Sequence, residues 1–370
     1  RDVTGVRTCA LPIWEPIEGY KIRGIYQRSV RSPNIGELFS PVVTGLTGLA
    51  VDPCAGTNPV GNASLTAICI GQGAPAGSIG SIPVPSASQI NATSGGNPDL
   101  GPEKANSYTI GVVLTPPSVP GLSVTADYYN IKITGAITTP TPGDIVAPCF
   151  DGVDPAACDL IRRNPLNGSL NGGGDTPGLL LQLTNQGQIE TSGVDLRVAY
   201  RMATSFGKVA FDFNGNWTEQ LKFNSNPANP TSINRECVSY YGENCEPITP
   251  EFTLTARTTV SLGESVDISL LWTWLDAVSL EPLSAAFGGA LDEYKEVGAY
   301  SYFDLTTRFS VSDNFDFTAG IQNLFDKKPP NVSSYVGGSS YNSGNTYPTT
   351  YDAIGRDRTS VVKGKNAHRG

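Results

Sequence analysis

The stretch FDFTAGIQNLFDKKPP (residues 315–330), together with the later run TYPTTYDAIGR (residues 346–356), decides how this chain folds. Four apolar side chains of the first stretch recur at every second position: Phe315, Phe317, Ala319 and Ile321. A period of two residues is typical of a strand with one apolar and one polar face. The strand breaks at the two prolines 329 and 330, because proline cannot donate to a ladder. Alone, the pattern fits a hairpin of an ordinary soluble β protein, so the rest of the chain must decide.

The same alternation recurs along most of the chain and predicts about ten strands. Helix signals are few, and turn formers are abundant, with 41 Gly and 28 Pro. The fold class is therefore all-β. The predicted strands cover residues 20–30, 104–115, 122–133, 179–201, 208–218, 252–260, 266–274, 303–311 and the stretch that begins at 315.

The connections between these strands alternate in length. Tight turns near residues 116–121, 203–206, 263–264 and 312–314 alternate with long connections near 31–101, 134–178, 219–247 and 276–298. Bacterial outer-membrane barrels have short turns at one end and long loops at the other, whereas a soluble sandwich has no reason to keep this asymmetry. The pattern predicts an antiparallel, up-and-down transmembrane β-barrel.

Composition excludes several function classes. Charged residues make up only 16% of the 370 residues, and the net charge of −9 argues against nucleic acid as a partner. No apolar run approaches the roughly 20 residues of a membrane helix, but a barrel crosses with alternating segments of about 10. The one histidine, His368, lies in the C-terminal tail, so histidine-based catalysis and histidine metal sites are not expected.

Seven cysteines are present, and six of them form close pairs within the long connections. Their spacing fits no zinc ribbon. We therefore expect loop disulfides, which form in an oxidising compartment such as a cell surface or periplasm; free thiols are the alternative. The expected pairs are Cys54 with Cys69, Cys149 with Cys158, and Cys237 with Cys245, with Cys9 free.

Four short motifs resemble those of TonB-dependent outer-membrane receptors. The resemblance covers residues 20–356 and rests on an R-x-P-x-x-x-E-L-F element, an N-P-x-L-x-P-E element, an N-L-F-D strand end and a Y-D-x-x-G-R strand start. The motif residues are Arg31, Pro33 and Glu37; Asn97, Leu100, Pro102 and Glu103; Asn323, Leu324, Phe325 and Asp326; and Gly355 and Arg356.

The resemblance implies active uptake of a scarce nutrient, such as a ferric siderophore, cobalamin or a glycan, across the bacterial outer membrane. Extracellular loops would capture a small-molecule or oligosaccharide ligand, and a TonB energising complex would act through an N-terminal plug. Plugged transporters of this kind have about 22 strands, so the resemblance implies that the barrel of about ten strands seen here is incomplete. Residues 14–356 match the C-terminal portion of such a barrel, without the plug. Residues 1–13 and 357–370 show no strand alternation, and we interpret them as a foreign segment and a non-native tail.

Two other functions stay open: a passive porin-like channel, and a soluble or surface β-sandwich adhesin. No catalytic constellation is apparent, and no enzyme activity, cofactor or metal is expected. Asp151, Asp154 and Asp159 could in principle bind calcium, but their spacing fits no calcium loop.

A barrel with this alternation should turn its apolar face to lipid and its polar face to the lumen. The expected lipid-facing residues include Val209, Phe211, Phe213, Val266, Ile268, Leu270, Phe303 and Leu305. The expected lumen-facing residues include Lys208, Asp212, Asn214, Arg257, Asp267, Asp304 and Arg308. Five aromatic residues near strand ends are expected in the interfacial girdles: Trp217, Trp272, Trp274, Tyr300 and Tyr302.

Overall fold

The computed structural model describes residues 4–10, 13–49, 51–86, 89–152, 154–173, 175–224, 234–242, 245, 248–282, 290–312, 315–332 and 346–364. His368 lies outside the described residues. Strands dominate this part of the chain, and the helices are short.

The first ten strands are β1 (Thr4–Ala10), β2 (Ile13–Ile17), β3 (Tyr20–Arg31), β4 (Val43–Gly48), β5 (Gln89–Ser94), β6 (Glu103–Leu114), β7 (Leu122–Thr138), β8 (Ile161–Arg162), β9 (Gly178–Leu180) and β10 (Thr184–Thr204). They are followed by β11 (Gly207–Asn224), β12 (Asn234–Glu236), β13 (Tyr240–Tyr241), β14 (Phe252–Leu262), β15 (Val266–Leu275), β16 (Val278–Leu280), β17 (Glu296–Val297), β18 (Tyr300–Ser312), β19 (Phe315–Gln322) and β20 (Asp357–Gly364). The helices are α1 (Ile35–Phe39), α2 (Ala63–Gly71), α3 (Pro142–Phe150) and α4 (Pro155–Cys158).

One large antiparallel sheet organises the molecule. Its strands pair in the order β1-β3-β6-β7-β10-β11-β14-β15-β18-β19-β20, and β2 and β12 pair with β3 and β11. Neighbours in the sheet are therefore neighbours along the chain, which confirms the predicted up-and-down order. Among the described residues no ladder joins β1 to β20, so the sheet is open along this path, as expected for an incomplete barrel.

The long connections all leave the sheet at one end, and they carry the remaining elements. Strands β4, β5, β9 and β8 form a small sheet from the first two long connections, and β13, β16 and β17 form another from later ones. The four helices also lie in the first two long connections. None of the helices in the described part of the chain is long and apolar enough to span a membrane.

Cross-strand register collects the apolar side chains of the large sheet on one face. Leu270 lies opposite Leu305, and Trp272 lies opposite Phe303, whose ring it stacks on at 6.2 Å. Several residues of this face remain well exposed, Ile110 by 60%. The polar residues between them share the opposite face, which confirms the predicted alternation. The two sides of the sheet are called the apolar face and the polar face below.

Two of the predicted girdle residues lie on the other face. Tyr302 pairs with Thr273, one position out of phase with Phe303, so its ring belongs to the polar face. Tyr300 shares that phase and contacts the Tyr351 ring at 5.1 Å. The prediction was wrong for these two tyrosines, because closeness to a strand end does not determine the face.

The expectation that residues 1–13 and 357–370 lie outside strands is wrong for β1, β2 and β20. Each of these strands pairs with its neighbour through the backbone, which needs no side-chain alternation. In β20 the register puts Arg358 opposite Ile321 of the apolar face, which explains why the sequence did not look like a strand. The foreign or non-native origin of these segments remains a prediction, and residues 365–370 lie outside the described part.

Two further strand boundaries differ from the expectation. The predicted strand 179–201 is split, because β9 pairs in parallel with β5 in a loop sheet and only β10 joins the large one. The Y-D-x-x-G-R run precedes its strand, which begins at Asp357. A continuous apolar run does not show whether a segment pairs with the large sheet or with a loop.

Candidate functional site

Buried apolar clusters occur where the long connections meet. Two adjoining clusters, around Ile145 and Ile82, combine the first and second long connections, and the partly buried Phe150 packs against both. A third cluster, around Tyr241 and Val332, combines the later connections. We name these assemblies the first loop module (within residues 32–102 and 139–183) and the second loop module (within residues 234–251, 276–299 and 323–356).

A fully buried ion pair links the two connections of the first loop module. The Arg163 guanidinium donates to both carboxylate oxygens of Asp52, at 2.7 and 2.8 Å, and both side chains have no exposed surface. Its Nε donates to Gln72 at 2.7 Å, and the Gln72 amide donates to the Cys149 sulfur at 3.2 Å. No local sequence pattern predicts this network, because Asp52 and Arg163 are 111 residues apart.

Each loop module also contains a disulfide framework. The structure joins Cys54 to Cys69 and Cys149 to Cys158 in the first module, and Cys237 to Cys245 in the second, with Cα separations of 5.9, 4.8 and 5.2 Å. All three bonds close short loops within single connections. Their position at the long-connection end of the sheet agrees with an oxidising environment there.

The second loop module is built around tyrosines. Tyr241 and Tyr347 are buried and meet edge to face at 5.9 Å, and the Tyr241 hydroxyl donates to the Tyr294 carbonyl. Burial raises the pKa of Tyr241 to about 12, so the phenol stays protonated over the physiological range. The tyrosines thus belong to a buried cluster that covers this end of the sheet.

The first two family motifs contact each other through Arg31. Its guanidinium donates two bonds to Glu37, at 3.0 Å each, and one to Glu103 at 2.5 Å. Glu37 also caps α1 with Asn34, and the second oxygen of Glu103 accepts the Ile137 amide. The motif therefore ties the end of β3, the start of β6 and the upper part of β7 together, and we name it the Arg31 lock.

The other residues of these motifs lie around the Arg31 lock. The backbone amide of Asn97 donates to the Glu37 carbonyl, and the backbone amide of Leu100 donates to the Asn97 carbonyl. Pro33 is partly buried before α1, and Pro102 is exposed before β6. Asn185, which is not one of the predicted motif residues, donates to the carbonyls of Gly101 and Gly135 at 2.9 Å each.

The last two motifs form a second lock around Asn323, which is buried and has a positive φ of 49°. Its side-chain amide donates to Asp352 at 2.9 Å, and Asp326 accepts the Arg356 amide at 3.2 Å. The Asp352 carboxylate also accepts the amide of Gly355, whose φ of +85° favours glycine.

The two residues between Asn323 and Asp326 join this lock to β18. The amide of Leu324 donates to the Phe303 carbonyl at 2.6 Å, and the Phe325 ring meets the Phe303 ring edge to face at 5.4 Å. Motif residues predicted from separate stretches therefore meet in space. The contacts they make here are structural ones.

The polar face of the sheet carries ion pairs across its strands. Arg23 of β3 pairs with Asp127 of β7 at 2.5 Å, reaching over Gly111 of β6, where any Cβ would collide with the carboxylate. Arg308 bridges Asp267 and Asp316 on the two flanking strands at 3.3 and 3.4 Å. These pairs leave the face polar but largely neutralised.

A small polar pocket of about 290 Å³ lies where the polar face meets the second loop module. Its lining includes Tyr302 and Asp304 from β18, Gln322 at the end of β19, and Thr350 and Asp352 from the last long connection. The pocket presents carboxylate, amide and hydroxyl groups together, so it can hydrogen-bond a polar ligand.

No metal-binding arrangement occurs within the ranges described above: no three His, Cys, Asp or Glu residues lie close enough to hold an ion. The acids considered for calcium are helix-terminal residues. Asp154 caps α4 by accepting the Ala156 amide at 3.0 Å, and Asp151 and Asp159 follow α3 and α4.

Comparisons with known proteins agree with this geometry. The profile of the family described as TonB dependent receptor-like, beta-barrel, matches residues 10–324. No curated protein matches the sequence. Among solved structures, the ferric enterobactin receptor of Pseudomonas aeruginosa is similar at 14% identity and a TM-score of 0.58, over 98% of this chain and 40% of that one.

The siderophore receptor PirA from Acinetobacter baumannii is similar at 12% identity and a TM-score of 0.55, over 96% of this chain and 40% of that one. At these identities the likeness shows the fold alone, and the chain spans about 40% of the length of the receptors it matches. The family consists of receptors and transporters rather than enzymes. Since its barrel profile covers most of the chain, this protein belongs to the TonB-dependent receptors and represents part of their β-barrel.

Proposed function

We propose that this chain forms part of the wall and the mouth of an outer-membrane receptor that actively takes up a scarce nutrient. The observation that carries the proposal is the two-faced meandering sheet whose long connections build ordered modules at one end only. The apolar face would contact lipid, because a lipid-exposed sheet needs an apolar surface and paired backbone groups. The modules would then lie outside the cell, where their disulfides are stable.

The proposed ligand is a ferric siderophore. Support comes from the similar solved structures, which are receptors for ferric enterobactin and other siderophores. The polar pocket around Tyr302, Asp304 and Asp352 lies between the polar face and the second loop module, on the path a captured ligand would take. Cobalamin and glycans are the competing ligand classes that the experiment must include.

The proposed energy source is a TonB complex that acts on a plug inside the barrel. This follows from the family assignment. Uptake through a plugged barrel requires energy, whereas diffusion through a passive channel does not. The energy requirement of uptake therefore distinguishes the two functions.

The test deletes the complete gene and measures uptake of labelled ferric siderophore, cobalamin and oligosaccharide by cells grown under iron limitation. We expect loss of ferric siderophore uptake alone, and uptake in the parent strain should stop when an uncoupler collapses the proton gradient. Uptake that persists with the uncoupler would contradict active transport. Loss of only cobalamin or oligosaccharide uptake would reassign the ligand.

A further inference from the structure

One cross-strand row on the apolar side of the sheet is charged instead of apolar. Ladder partners link Arg28 of β3 to Asn106, Asn106 to Lys132, Lys132 to Glu190, and Glu190 to Lys222 of β11. The row therefore crosses five adjacent strands at one height. Lys104, one row nearer the long connections, adds a further cation on the same face. We name Arg28, Lys104, Lys132 and Lys222 the cationic row.

The charged row lies directly above an aromatic row and the apolar surface. Two residues further from the long connections, Tyr26 faces Tyr108 with ring centroids 4.9 Å apart. Tyr128 and Trp217 follow one row further down, and below them the face is made of aliphatic and aromatic side chains. The Tyr26 hydroxyl points up the face and donates to Asn106 of the charged row at 3.2 Å.

The carboxylates near the cationic row are already engaged. Glu190 pairs with Lys132 and accepts from Gln188 and Gln220. Glu219 accepts from Ser192, and Glu236, opposite Lys222, accepts the backbone amides of Leu221 and Val238. Among the described residues, Arg28, Lys104 and Lys222 form no salt bridge, although Lys222 lies within electrostatic reach of Glu190. Arg28 and Lys104 are also well exposed.

We propose that the cationic row binds the phosphate of anionic lipid headgroups, which carry a net negative charge, in the leaflet that surrounds the long-connection end of the barrel. This inference rests on the proposed contact of the apolar face with lipid. Tyrosine and tryptophan concentrate where acyl chains meet headgroups, so the next row up lies at headgroup height. Lysine and arginine there attract anionic lipid, and their apolar stems cover the sheet while their charges reach the headgroups.

The occupant is lipid rather than a soluble anion, because the cations border an apolar surface that only an acyl chain can cover. A free phosphate would meet single cations on different strands, two of them well exposed, and each would attract it weakly. A lipid adds acyl-chain contact with the tyrosine row to the same phosphate contact. Anionic phospholipid should therefore bind far more tightly than inorganic phosphate.

The test uses the complete receptor chain purified in a neutral detergent and titrated in native mass spectrometry with phosphatidylglycerol, phosphatidylcholine or inorganic phosphate. We expect preferential binding of phosphatidylglycerol that weakens as salt is raised. The triple variant Arg28→Gln, Lys104→Gln, Lys222→Gln should bind it roughly 100-fold more weakly, since each cation near a membrane surface contributes about 1 kcal/mol. The control Arg197→Gln removes an exposed cation from the polar face and should change nothing.

The outcomes separate this inference from the proposed function. Equal binding of both lipids, tight binding of inorganic phosphate alone, or equal loss in the Arg197→Gln control would overturn the headgroup site and leave the membrane placement intact. Binding of neither lipid would overturn the lipid contact of the apolar face, and the headgroup site with it. Thermal unfolding of each variant in detergent, unchanged from the parent, shows that a loss of binding is not a loss of fold.

Discussion

At the scale of single residues, Arg163 shows how side chains that are distant in sequence hold the first loop module together. Its charge is buried without exposed surface, and both oxygens of Asp52 and the amide oxygen of Gln72 compensate for lost hydration. A buried pair is weak evidence for net stability, but loss of one partner leaves an uncompensated charge. Nothing in the local sequence around either residue predicts the contact, because it depends on how two loops pack.

Removing one partner of this pair should destabilise the first loop module strongly. We expect Arg163→Ala to reduce the module's free energy of unfolding by about 3–5 kcal/mol, and the double change Asp52→Leu, Arg163→Met to recover most of it. Hydrogen exchange of the β5 and β9 amides measures both. Lys21→Ala, which breaks a half-exposed pair with Glu15, is the control and should cost less than about 1 kcal/mol. Equal effects of Arg163→Ala and Lys21→Ala would show that the buried pair is dispensable.

The Arg31 lock should depend on pH. The bonds from Arg31, with a further contribution from the Asn34 amide, hold the pKa of Glu37 below its ordinary value of 4.5. The pKa of Glu37 is lower in the folded protein than in the unfolded chain, so its ionised carboxylate contributes fully to stability above pH 4.5. This contribution is lost as the pH falls through the lower pKa of the folded state. The protection of the α1 amides against hydrogen exchange, taken relative to the intrinsic exchange rate at each pH, should therefore fall below pH 4.5. Glu37→Gln should exchange faster at neutral pH and lose this pH step; a step of unchanged size in the variant would assign it to another group.

At the scale of elements, the strands were predictable and the loops were not. Alternation located β3, β6, β14, β15, β18 and β19 to within a few residues, because one face of each must be apolar over its whole length. The ends of β7 and β11 nearest the long connections extend past that band into polar rows, so the sequence underestimated the length of these two strands. The face of Tyr302 could have been predicted from Phe303 by simple alternation. The loop sheets could not be predicted in this way, because the paired residues of β5 and β9 lie 87 positions apart in the chain.

Two neighbouring leucines of β15 provide a matched test of the two faces. Leu270 belongs to the apolar face opposite Leu305, while Leu271 lies on the polar face between Arg257 and Asp304. In the receptor folded into lipid vesicles, Leu270→Arg should cost about 2–4 kcal/mol if it lies near the bilayer midplane. Leu271→Arg, the same change one residue away, should cost far less. Urea unfolding measures both, and similar losses would refute the assignment of faces.

Ser269, the adjacent polar-face position, is an unsuitable control, since it is buried and accepts a bond from Arg257.

Disulfide connectivity is a prediction at the same scale. Peptide mapping without reduction should find Cys54 with Cys69, Cys149 with Cys158, and Cys237 with Cys245, and an alkylated Cys9. The reason is local, since each pair closes a loop inside one connection. A peptide that linked two different connections would contradict the loop modules as they are arranged here. The described side chains do not include Cys9, so its free thiol is known only as a sequence-based expectation.

At the scale of the whole molecule, the large sheet has one apolar face and one face that carries ion pairs. This difference is explained if each face contacts a different environment. The family and the meandering order followed from motifs and connection lengths, both of which are local in sequence. The three-dimensional meeting of those motifs, the two loop modules and the cationic row depend on cross-strand register, which one sequence does not reveal. The central claim is that the apolar face contacts lipid.

Spin labels placed singly at positions 266–275 in the receptor reconstituted in lipid vesicles test that claim most directly. Collision with oxygen, which concentrates in the bilayer, should peak at 266, 268, 270, 272 and 274. Collision with a water-soluble nickel complex should be lowest at those same positions. This out-of-phase oscillation with a period of two is the predicted result. Nickel accessibility that peaks at 268, 270 and 272, or the absence of any oscillation, would contradict the account.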